Sequence, residues 1–158
     1  MERPRRSKPE SAKPKSDPTA RALRLLARRE HTRAELARKL AHDVEDPLAL
    51  EALLDDLAAR GWLCDSRFAE QFAHARRERF GIAALRRALL DRGVPEDIVG
   101  RALEPLKEGQ LEAARAIWAR KFKTVPGTTA ERARQVRFLQ ARGFATELAL
   151  RVVRGGTE

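Results

Sequence analysis

From Pro18 onward apolar residues recur three or four positions apart, first as Leu23, Leu26 and Ala27, next as Leu36 and Leu40, then as Leu50, Leu53, Leu54 and Leu57. That spacing gathers them on one side of an α-helix and predicts three amphipathic helices. Local chemistry agrees with the breaks between them. Thr32 followed by Glu35 makes a capping box, in which the hydroxyl and the carboxylate satisfy each other's unpaired amides. Pro47 suits the first position of the third helix, where its missing N–H costs nothing. Asp65 is read as the N-cap of the helix that follows.

The pattern then repeats. A shift of 50 residues lays Phe68-Ala69-Glu70-Gln71-Phe72 on Trp118-Ala119-Arg120-Lys121-Phe122, and Leu89 to Val94 on Leu139 to Phe144. A shift of 49 lays Leu23 on Phe72, Leu36 on Leu85 and Leu40 on Leu89. Each unit reads as three helices: 18 to 29, 33 to 42 and 47 to 61; 65 to 79, 83 to 92 and 95 to 104; 109 to 122, 129 to 142 and 145 to 154. Gly93 and Gly143 each follow an arginine at a helix end, where a left-handed residue closes the turn and the apolar residue after it packs back.

The predicted fold class is therefore all-α, with tandem three-helix repeats forming an elongated, curved body: repeat 1 over 18–62, repeat 2 over 63–106 and repeat 3 over 107–158. Such units are expected to bury their apolar faces mainly against neighbouring units, although a compact helical bundle fits the same pattern. Phe68, Phe72, Trp118 and Phe122 recur at i and i+4 and are read as core rather than as a base-stacking platform. Trp62, after Gly61, either packs locally or anchors a partner.

Composition narrows this further. Alanine, leucine, arginine and glutamate dominate, tyrosine is absent and β-branched residues are few, which favours helix over strand. Residues 1 to 17 carry prolines, serines and charges with almost nothing apolar, and read as a disordered basic tail. The tail supplies +3 of the net +10, so the remainder keeps +7 and points to an anionic partner. No apolar run is long enough to span a bilayer or to act as a signal peptide, and Cys64 is alone. A cytoplasmic chain without membrane attachment is expected.

Candidate chemistry is sparse. His31, His42 and His74 are scattered without metal-ligand spacing, and Asp55 and Asp56 are adjacent positions that point about 100° apart on a helix. No phosphate-binding loop, dinucleotide fingerprint or nucleophile elbow occurs, so neither a cofactor nor an enzymatic activity is expected. What remains is basic. The binding candidates are Arg28, Arg29 and Arg33 in repeat 1, Arg76, Arg77, Arg79, Arg86 and Arg87 in repeat 2, and Arg132, Arg134 and Arg137 in repeat 3. The second set is the densest, and charge reversal at Arg76, Arg77 and Arg79 is expected to spare the fold.

Leu63-Cys64-Asp65-Ser66-Arg67-Phe68-Ala69 resembles the leucine-x-aspartate-x-x-phenylalanine-alanine signature of RecX regulators. Thr32 through Leu40 resembles the family's first-repeat helix, and Arg92-Gly93-Val94 and Arg142-Gly143-Phe144 resemble its second- and third-repeat turns, so the likeness runs from residue 20 to 153. Cys64 and Pro95 depart from it, standing where a polar residue and a serine-like cap are common. The resemblance implies tandem three-helix repeats. It also implies a regulator that lodges in the groove of the RecA recombinase filament on single- or double-stranded DNA and lowers its strand-exchange and coprotease activity; separately, the chain is expected to act as a monomer. A general DNA-binding architectural protein is the alternative.

Overall fold

The computed structural model describes residues 17–155, in which every regular element is a helix. Unit 1 holds α1 (Pro18–Arg28), α2 (Arg33–Leu40) and α3 (Pro47–Ala59). Unit 2 holds α4 (Asp65–Arg76), α5 (Ile82–Asp91), α6 (Glu96–Leu103) and a short 3₁₀ turn, Glu104–Leu106. Unit 3 holds α7 (Gln110–Lys121), α8 (Thr129–Ala141) and α9 (Thr146–Val153). The basic tail read from the sequence lies outside the described residues except for Asp17, whose carboxylate accepts from the Thr19 N–H at 3.1 Å and caps α1.

Each unit has its own apolar core. Leu36, Leu40, Leu54, Leu57 and Leu63 fill the first, Phe68, Phe72, Leu85, Leu89 and Val99 the second, and Ile117, Val136, Leu139, Phe144 and Val153 the third. The densest helix pairings also stay within units, as in α4 with α6 and α7 with α9. A single shared bundle core is thus set aside. So is the expectation that units bury their apolar faces mainly against one another.

Two parts of the sequence reading need correction. Leu23 and Ala27 are exposed, and α1 turns Ala22, Leu25 and Leu26 inward instead, because its apolar face is rotated by one residue from the one that the Leu23, Leu26 and Ala27 spacing predicts. The aromatic stripe holds for Phe68 and Phe72, whose rings stack at 5.9 Å. Phe122 is buried too, but it lies past the end of α7 in extended backbone and meets Phe138 edge-on at 5.3 Å. Trp118 is only half-buried, and its indole N–H donates to Gln135 Oε1 at 2.8 Å.

The contacts between units are polar and small. The Thr32 hydroxyl donates to the carbonyl of Arg92 at 2.7 Å, and the Arg33 N–H donates to Asp65 Oδ1 at 2.8 Å. Asp65 is therefore the first residue of α4, not its cap; it caps α2 across the junction. The next junction repeats the plan. The Gly81 N–H donates to the Arg142 carbonyl at 2.7 Å, the Ala83 N–H to the Gly143 carbonyl at 3.1 Å, and the Ile82 N–H to Gln110 Oε1 at 2.9 Å. Asp65 and Gln110 open the first helices of units 2 and 3, and each satisfies the first amide of the preceding unit's middle helix.

Close approach makes glycine obligatory here. Gly93 and Gly143 have φ of +78° and +90°, and a Cβ on either would land on Ala34 Cβ or on Ala84 Cβ and N respectively. Gly61 has φ of +75° but open space around it. Gly61→Ala should cost about 1–2 kcal/mol, the left-handed penalty alone. Gly143→Ala should cost about 1–3 kcal/mol more, because overpacking of the junction is added. Denaturant unfolding of the two variants measures the difference, and equal losses would show that the junction yields freely.

Candidate functional site

A trough of three adjoining depressions crosses the boundary between units 2 and 3. The first, of about 520 Å³, lies between the end of α4, the 3₁₀ turn and the length of α7. His74, Arg77 and Arg120 line it together with Glu78 and Glu112, over a floor that includes Leu106, Ala113 and Ala116. Arg120 and Glu78 continue into the second depression, which adds Arg79, Lys121 and Arg142. Lys121 continues into the third, which adds Lys123, Arg134 and Glu131. Cations outnumber acids across the trough. All three acids are also engaged: Glu78 pairs with Arg77 at 3.8 Å, Glu112 with Arg115 at 3.0 Å, and Glu131 accepts from the Gly127 N–H at 2.8 Å.

Local structure explains this clustering. Arg76, Arg77 and Arg79 end α4 and Arg120 and Lys121 end α7, where cations complement the exposed carbonyls of the helix terminus. Arg77 donates to the His74 carbonyl at 2.7 Å. Arg142 lies 5.8 Å and 5.3 Å from the ring centroids of Phe80 and Phe138, and it reaches the Arg79 carbonyl at 3.4 Å, which ties the two units together at the trough wall.

Of the arginines named from sequence, Arg77, Arg79 and Arg134 line this trough. Arg76 does not: its guanidinium lies 3.9 Å from the Phe72 centroid and is half-buried. Reversal at Arg76 would set a carboxylate against a buried ring, so a larger stability cost is expected there than at Arg77 or Arg79. Arg33 is held between Glu51 at 2.5 Å and Asp55 at 2.7 Å, hydrogen bonds that raise its pKa and neutralise it locally. Arg86 pairs with Glu96 and Arg29 with Glu35. Arg28 lies in a separate depression beside Arg21 and Arg24. Arg87, Arg132 and Arg137 are exposed but line none of the three depressions.

Sequence reasoning missed Arg120, Lys121, Lys123 and Arg142. Arg120 and Lys121 fall on Glu70 and Gln71 under the 50-residue shift, so the repeat itself hid them. Arg142 stands in the sequence only as the residue before a turn glycine. The three histidines stay apart. His31 is buried; its Nε2 accepts from the Lys39 ammonium at 3.1 Å, which places the ring proton on Nδ1 facing the Arg29 carbonyl at 3.0 Å. Desolvation, aided by Arg29 and Lys39, lowers its pKa. Among the described residues no group of His, Cys, Asp and Glu has the arrangement of a metal site. No helix there is long and apolar enough to cross a membrane.

Fold and trough together define a helical-repeat protein: three units in series, with a basic surface that crosses the second junction. Family comparison gives the class a name. Residues 20–57, 65–103 and 108–153 match in turn the models described as the first, second and third three-helix domains of RecX. The chain is 47% identical over 144 residues to a protein called Regulatory protein RecX from Leptothrix cholodnii, covering 91% of this chain and 92% of the relative. It is 44% identical over 136 residues to one of the same name from Ralstonia nicotianae, covering 86% of each. The crystal structure of RecX from Lactobacillus salivarius superposes with a TM-score of 0.79 at 17% identity, covering 89% of this chain and 95% of the other, a likeness of fold alone. The chain belongs to the RecX family.

The His31 environment sets a pH dependence. Its folded pKa lies below the unfolded value of about 6.5, so folded and unfolded chains are both neutral there at higher pH. As pH falls through that window the unfolded chain takes up a proton that the folded chain resists, and stability is lost. The stability gap between wild type and His31→Gln should narrow between pH 7.5 and 5.5; a constant gap would remove His31 from the titration. Separately, Arg76→Glu should cost about 1–2 kcal/mol by replacing the nearer of the two cations on the Phe72 ring, Arg76 at 3.9 Å and Arg92 at 4.7 Å, with a carboxylate, whereas exposed Arg120→Glu should stay within about 0.5 kcal/mol. Thermal unfolding distinguishes the two.

Proposed function

We propose that this chain is a non-enzymatic regulatory protein that binds the RecA–DNA filament and lowers recombinase and coprotease activity in DNA repair and the SOS response. The observation that carries this reading is the basic trough across units 2 and 3. A row of cations that continues from one unit into the next suits a long, regular polyanion better than a small anionic ligand. Family membership and the relatives' name, Regulatory protein RecX, support a regulatory role. The chain would act in the cytoplasm, where such filaments form.

It would also act as a monomer. Arg33 and Ile82, the first residues of α2 and α5, donate to Asp65 and Gln110 of the unit that follows, whereas the cap of α8 among the described residues is internal, the Glu131 N–H donating to Thr128 Oγ1 at 3.1 Å. Unit 1 has no Arg-Gly turn between α2 and α3, so it offers no dock for the α8 end of another copy.

In a DNA-stimulated ATP hydrolysis assay with the cognate RecA, the wild-type chain should inhibit at amounts well below those of the recombinase. The triple variant Arg79→Glu, Arg120→Glu and Lys121→Glu should inhibit far less while remaining folded, its unfolding temperature only modestly lowered by the loss of cations at two helix ends. Every phosphate that the variant leaves unneutralised should also lower the slope of log affinity against log salt by about 0.7 on single-stranded DNA. Inhibition that persists in the folded triple variant would sink the trough as the binding surface. Inhibition that requires enough protein to cover the DNA would favour a general DNA-binding architectural protein instead.

A further inference from the structure

The first depression of the trough holds a buried amide with an uncommitted donor, whereas the buried amide of the third, Gln135, is bonded at both ends, to the Trp118 indole and the Thr124 carbonyl. Gln110 is 92% buried by its relative exposure of 8%, and its Oε1 is committed to the Ile82 N–H at 2.9 Å. That bond fixes the orientation of the amide, since a backbone N–H needs an acceptor. Its Nε2 has no hydrogen-bond partner among the described residues, yet Gln110 lines the cavity, so two donors are offered to whatever enters. Leu106 and Pro105 stand on one side and Ala113 and Ala116 on the other. A volume of about 520 Å³ is within the range of sites that enclose a small organic group.

We infer that this cleft seats one unstacked base of single-stranded DNA, whose flanking phosphates lie on Arg79, Lys121 and Arg142 in the adjoining depression. The inference rests on the filament reading for its partner. Three features favour a nucleotide over an apolar protein side chain. The cleft opens directly into a depression rich in cations and lined by a single acid, Glu78. Its rim cation Arg120 faces both spaces and has no ion-pair partner among the described residues. Its floor presents amide donors, which match the carbonyl edge of a base and have no use for a purely apolar anchor. Duplex DNA keeps its bases paired and stacked, so only a single strand can offer one.

The test uses the full chain and two labelled probes of equal length, an oligodeoxythymidine and an abasic deoxyribose-phosphate chain, compared by fluorescence anisotropy at one salt concentration. Wild type should bind the thymidine chain about tenfold more tightly, the scale of one seated base. Ala116→Leu fills the cleft from an exposed position on α7; it should reduce thymidine binding to the level of the abasic chain and leave abasic binding unchanged. Equal wild-type affinity for both probes would overturn the base seat while leaving the filament reading intact, with the cleft open to a protein side chain. Equal weakening of both probes by Ala116→Leu would also overturn it. Binding of neither probe would remove the phosphate contacts from the filament reading itself, and the inference would fall with them.

Discussion

The structure depends on where the first-turn amides of α2 and α5 send their hydrogen bonds. A helix leaves its first amides without internal partners, and a buried donor left unsatisfied costs about 1–3 kcal/mol. Here those donors are answered by the next unit: Asp65 accepts from Arg33, Gln110 from Ile82, and the Arg142 and Gly143 carbonyls from Gly81 and Ala83. Each junction is thus a helix cap built between two domains. It needs backbone contact rather than a broad apolar face, and glycine at 81, 93 and 143 supplies the clearance. Separate cores follow, because units joined by caps have to bury their own leucines and phenylalanines.

Much of this is legible in the sequence. The helices begin and end within a few residues of their predicted bounds, because each boundary carries its own local chemistry: the Thr32–Glu35 box, Pro47 at the start of α3, and Gly93 and Gly143 after their arginines. The repeat is equally visible. What is not legible is the destination of the capping groups. Asp65 preceding an apolar run reads as a local cap in any single sequence, and only the three-dimensional path brings the α2 N-terminus to it. Leu23 misleads for a related reason. In a helix with Leu23, Leu25 and Leu26 on hand, periodicity admits more than one inward face, and contact with α2 chooses Ala22 and Leu25.

The candidate site is only partly legible, because sequence shows where charge is and not whether it is spent. Arg33 and Arg86 are bound to carboxylates and Arg76 is laid on Phe72, so all three are committed within their own unit. Arg120 and Lys121 escape notice because the repeat aligns them with an acid and an amide. Departures from a repeat are informative for this reason. Positions that keep their character between units, such as Leu89 and Leu139, serve the core that every unit needs, while positions that change serve what one unit does alone.

The trough's geometry is also tied to the junction that forms it. Arg142 is the residue before Gly143; its carbonyl accepts from Gly81, and its guanidinium reaches the Arg79 carbonyl and lies over Phe80 and Phe138. One residue therefore fixes the angle between units 2 and 3 and lines the depression between them. Gln110 does the same at the other side, holding Ile82 with its oxygen while lining the cleft. Any ligand that spans the trough touches the residues that set the inter-unit angle. Binding free energy and junction bending are then linked: a partner that fits one spacing of the cations stabilises that angle, and a change at the junction alters affinity without touching a contact residue.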